Sequence, residues 1–141
     1  MTMSEISQKV EGINQIDVVV VVDALGAAVQ GLHDNVYMID SQKYCGSYNH
    51  GQAELVTSCI DGQRINWHLA TVSPSSNAKI AGFTGQMIKE KKCVPEEVGP
   101  QDDRYWTGRV QAQGAKGQYQ YSIVVNIEGK NYEFDPFILI K

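Results

Sequence analysis

Five consecutive valines, Val18 to Val22, closed by Asp17 and Asp23, constrain the fold of this chain more than any other stretch. Valine is branched at Cβ, so it loses rotamer freedom in a helix and packs well on a pleated surface. Residues 15–23 are too few for a membrane span, and their apolar run reads as a strand covered on both faces. Such a strand needs further layers, which the rest of the 141 residues must supply. That length suits one core. Residues 1–13 read as a polar, loosely held leader, and residues 14–141 as a single domain.

Beyond Asp23, residues 24–31 hold small side chains between Gly26 and Gly31, fitting a short helical turn or a crossing loop. Neither G-x-G-x-x-G nor G-x-x-x-x-G-K occurs there, so the phosphate cradle of a nucleotide-binding fold is missing from its usual place. Strands are expected over residues 35–40, 52–57, 64–72, 79–88, 106–113, 118–127 and 132–140. In 64–72 the alternation is clean: Ile65, Trp67 and Leu69 fall on one face, Arg64, Asn66 and His68 on the other. Gly82 and Gly85 predict a kink or bulge, while 114–117 and 128–131 read as hairpin turns. Residues 93–103, with Pro95, Pro100 and four acidic side chains, predict the longest irregular connection. No amphipathic helix separates these strands, so the expected fold is all-β, an antiparallel β-sandwich of jelly-roll or Greek-key type.

A formal net charge of -4, with charged residues at 20%, leaves no electrostatic footprint for nucleic acid. The short cluster Lys89, Lys91 and Lys92 is interrupted by Glu90 and reads as a solvated strand end. No apolar run is long enough to span a membrane, and residues 1–10 lack the pattern of a secretory signal, so a cytoplasmic location is expected. Cys45, Cys59 and Cys93 are odd in number, widely spaced and without a CxxC. They read as buried or half-buried thiols rather than a disulfide framework or a zinc site.

Four segments together resemble one known family. They are residues 16–23, Val36-Tyr37-Met38-Ile39, Gly51 to Leu55 followed by Asp61 to Trp67, and the ending Phe134-Asp135-Pro136-Phe137-Ile138-Leu139-Ile140-Lys141. Their order and spacing, from about residue 14 to the end, are similar to the bacterial AidA/PixA family of inclusion-body proteins. The resemblance implies a small soluble β-sandwich with no assigned catalytic activity, made at high cell density or during host association, some members accumulating as cytoplasmic inclusions. The chain departs from that pattern in its short, apolar 24–29 loop and its four methionines, where some inclusion-forming members are methionine-rich.

For catalysis, the residue types available are Cys45 or Cys59 with His50 or His68 and Asp61, but no nucleophile-elbow motif joins them. No catalytic residue, cofactor or metal is therefore assigned. His33-Asp34 with His50 lacks ligand spacing, and Glu96, Glu97, Asp102 and Asp103 read as an acidic solvated loop rather than a calcium site. Loop aromatics give the one ligand signal. Tyr44, Tyr48, Tyr105 and Trp106 lie in or beside turn-rich segments, with Asn49, His50, Gln101 and Asp102 as polar companions. Tyr48, Asn49, Asp102 and Trp106 are thus the candidate residues for a sugar or small ligand. The reading that ranks first is a non-enzymatic protein that self-associates as a homo-oligomer, with residues 132–140 pairing within the subunit or contributing to a subunit contact.

Overall fold

The computed structural model describes Thr2, Glu5 and residues 14–141, so the leader expected over 1–13 otherwise lies outside the described residues. In chain order the elements are β1 (Gln15–Val22), α1 (Ala24–Gln30), β2 (Val36–Asp40), β3 (Val56–Cys59), β4 (Arg64–Thr71), β5 (Ala78–Thr84), α2 (Gln86–Lys89), β6 (Glu96–Val98), β7 (Tyr105–Arg109), β8 (Gly117–Gln120), β9 (Ser122–Ile127), β10 (Lys130–Phe134) and β11 (Phe137–Ile140). The fold is all-β, a sandwich in which one five-stranded sheet, ordered β2-β1-β4-β7-β6, faces two three-stranded sheets, β10-β9-β5 and β3-β11-β8.

The valine strand sits inside the large sheet, between β2 and β4. Its inward residues Ile16, Val18, Val20 and Val22 are fully buried. Its other face is not fully covered: Val19 and Val21 are half-buried and Asp17 is exposed. The expectation of two covered faces is corrected here, because among the described residues only one side of this sheet carries a second layer. Asp23 ends the strand by capping α1, its Oδ1 accepting from Gly26 N at 3.1 Å.

The two smaller sheets share one bent hairpin. β8 runs into β9 through Tyr121, and β10 into β11 through Asp135-Pro136, with Tyr121 N donating to Pro136 O at 3.0 Å across the bend. Proline has no N–H and breaks the ladder, so the strand expected over 132–140 is divided in two. The inner half of the hairpin takes up β5 and the outer half takes up β3. β11 therefore lies in the middle of its sheet, paired on both sides. The bulge expected from the glycines appears as a register shift between Ile80 and Gly82. The strand then stops at Thr84, and α2 takes the place of its expected continuation to 88.

Two pairings are parallel, β1 with β4 and β3 with β11. Parallel neighbours need a crossover, and here each connection passes through strands of the other layer, β3 for the first pair, so the lack of a long crossover helix does not make every pair antiparallel. Residues 114–117 likewise do not close a hairpin. β7 pairs with β4 and β6, while β8 pairs with β11. Between them the chain crosses from one layer to the other, held by Val110 N on Gln63 O and Gln111 N on Lys92 O. Residues 93–103, expected to be irregular, carry the short edge strand β6.

The core centres on Trp67, fully buried, whose ring lies 4.9 Å from that of Phe83 on β5 and whose Nε1 donates to Tyr121 Oη at 3.1 Å. Burial pushes the Tyr121 hydroxyl's pKa upward. Val125, Ile127, Phe134, Ile138 and Ile140 supply the opposing layer.

Candidate functional site

Register in the large sheet places Asp40, Val18, Trp67, Trp106 and Glu97 side by side, one from each strand, along its inner face. At the Trp106 end the two layers part. There a cleft of about 190 Å³ opens between β4, β5, β7 and the 99–104 loop. Trp67, Leu69, Ile80 and Trp106 form its apolar floor, and Lys79, Glu97, Gln101, Asp102 and Arg104 surround it. Trp106 is half-buried and packs on Phe83 at 5.3 Å; Tyr105, also at the cleft, stacks on His68 at 4.9 Å.

The four candidate ligand residues divide between two places. Asp102 and Trp106 line the cleft together with Gln101 and Tyr105, whereas Tyr48 and Asn49 belong to the segment leading to β3. Tyr48 bridges Val56 and its hydroxyl donates to Gln118 Oε1 at 3.2 Å, and Asn49 Nδ2 donates to Glu54 O at 3.2 Å. Trp67, Ile80 and Arg104 also line the cleft, and residue type beside a turn does not point to them. The signal for Trp67 is its alternation with Ile65 and Leu69, but its opposition to Trp106 comes from strand pairing that the sequence does not display.

The residue types considered for catalysis are dispersed. Cys59 and Cys93 are buried, and burial pushes both thiols up to about 12, so each stays protonated and non-nucleophilic at neutral pH. Asp61 is engaged by Ala112 N at 2.7 Å, and His68 stacks on Tyr105. His50 Nε2 lies 3.1 Å from Oδ1 of Asp40, whose side chain has no exposed surface. Thr57 Oγ1 and Gln42 N each donate to the same carboxylate at 2.8 Å. This carboxylate ties β2 to β3 across the layers. His33 stands apart near Asp34 and Glu54, which raise its pKa. Among the described residues no group of three or more His, Cys, Asp or Glu is placed to hold a metal ion.

The outer face of the large sheet carries a second pattern. Ile39, Val19 and His68 are neighbours in one row, Tyr37, Val21 and Ala70 in the next. Tyr37 is 44% and Ile39 51% exposed. A polar row borders them, in which Arg64 Nη1 donates to Thr107 Oγ1, Thr107 Oγ1 to Asn66 Oδ1, and Asn66 Nδ2 to Gln15 Oε1 and Asp17 Oδ1.

Among solved structures, the chain is similar to an inclusion body protein (PixA) from Burkholderia cenocepacia, with a TM-score of 0.66 at 10% identity, covering 92% of this chain and 97% of that one. At that identity the likeness is one of fold. No curated protein matches the chain in sequence. The model of the family described as Domain of unknown function (DUF8788) matches residues 14–133, and the chain belongs to that family.

Proposed function

We propose that the chain is a non-enzymatic, cytoplasmic bacterial protein that works by self-association, and that the outer face of the five-stranded sheet is the contact. The observation that carries this reading is the apolar patch on that face, Ile39 beside Val19 and Tyr37-Val21-Ala70 in the next row, aligned by strand register with Tyr37 and Ile39 in solvent. Contiguous apolar surface of this kind marks an interaction site, whereas scattered apolar residues do not. Such a flat face also suits a closed, two-fold contact between identical subunits.

Two of the edge strands are poorly suited to an edge contact. β6 is three residues long and carries Glu96 and Glu97, and β10 presents Lys130 and Glu133. Short, charged edges resist strand addition. β11 has both edges occupied within the subunit, so the last strand is not the contact. A shared fold with a protein named for inclusion bodies fits a protein that packs against its own copies. The three buried cysteines, outside any disulfide, fit a reducing compartment. Light scattering on a dilution series tests the reading: a defined oligomer that dissociates on dilution is expected, and a protein monomeric at every concentration would overturn it.

A further inference from the structure

We infer that the cleft between β4, β5, β7 and the 99–104 loop binds a single uncharged saccharide ring. Its size sets the first limit. At about 190 Å³ it falls below the roughly 300–1,000 Å³ of pockets for drug-sized ligands or cofactors, which leaves room for one ring.

Its chemistry sets the second. The floor offers aromatic surface from Trp106, held in place by Phe83 and by the strand pairing of Trp106 with Trp67. An aromatic face of this kind receives the C–H face of a sugar. Around it stand Lys79, Glu97, Gln101, Asp102 and Arg104, and none of these side chains makes a hydrogen bond or ion pair to another described residue. Two acids and two bases balance in charge, which disfavours a phosphate or a dicarboxylate. Together with the amide they provide donors and acceptors on several sides, as a ring of hydroxyl groups requires. A zwitterionic amino acid would match the charges, but exposed ion pairs contribute little in water.

Trp67 and Trp106 are the chain's two tryptophans and both line the cleft, so intrinsic fluorescence reports its occupancy directly. The test titrates the full chain with glucose, galactose, mannose and N-acetylglucosamine, with glycine and glutamate alongside, reading tryptophan emission and melting temperature. One sugar is expected to shift the emission saturably and to raise the melting temperature, because a ligand that prefers the folded state stabilises it. Asp102→Ala and Gln101→Ala change exposed side chains without protein partners, so their unliganded melting temperatures are expected to match the parent. Loss of a hydrogen bond to a charged group weakens binding by about tenfold or more, which is the expected effect of Asp102→Ala. The inference is overturned by the absence of a saturable response to any sugar, by a response to the amino acids alone, or by sugar binding that both variants leave unchanged.

Discussion

Asp40 has the most consequential side chain outside the candidate surfaces. Its carboxylate has no exposed surface and gathers Thr57 Oγ1, Gln42 N and His50 Nε2. Asp40→Ala strands two buried donors, and each unsatisfied donor costs about 1–3 kcal/mol. A loss of about 3 kcal/mol is expected from urea unfolding; a change smaller than about 0.5 kcal/mol would contradict this role. Burial also fixes how stability responds to alkali. The thiols of Cys59 and Cys93 ordinarily ionise near 9 and are pushed up to about 12 in the fold. Between those values the folded chain holds protons that the unfolded chain has released, so stability is full below pH 9 and falls as pH rises. Each thiol removes about 1.4 kcal/mol per pH unit in that window. Unfolding of the Cys59→Ala/Cys93→Ala variant between pH 9 and 11 is expected to show a visibly shallower decline, and equal slopes would refute the assignment. The sequence revealed the thiols as buried but not the Asp40 cluster, because Asp40, His50 and Thr57 meet only once β2 and β3 lie in opposite layers.

Gly108 shows why β7 has the sequence it has. A Cβ there would lie 2.7 Å from Cys93 Sγ and 3.3 Å from Pro95, so the 93–95 segment passes against a strand position that only glycine leaves open. Gly108→Ala is expected to destabilise the protein by about 1–3 kcal/mol, as overpacking does, measured by thermal or urea unfolding. An unchanged melting temperature would mean that the segment can withdraw freely. At this scale the period-two pattern of 64–72 was legible, and Ile65 and Trp67 are buried on the face it indicated. So were β1, the glycine bulge in β5 and the β9–β10 hairpin, since each depends on local composition. The parallel pairs, the bend at Tyr121 and Pro136 and the layer crossing at 110–116 were not, because they follow from which strands meet across the core.

At the scale of the whole molecule, one sandwich presents two unlike surfaces. A small cleft opens where the layers part, and an apolar stripe lies on the sheet face that no second layer of the described residues covers. Of the four residues expected to bind a ligand, Asp102 and Trp106 line the cleft. Tyr48 and Asn49 were grouped with them by residue type alone, and the structure places them beside β3. Self-association through the large sheet depends on the apolar stripe. The measurement that tests it most directly is sedimentation of the parent chain against a Tyr37→Lys/Ile39→Lys double variant, over the same concentrations. Both side chains point to solvent from an edge strand, so the variant is expected to keep the parent's fold and melting profile while sedimenting as a monomer where the parent forms its oligomer. A variant that stays folded and assembles like the parent would contradict the account.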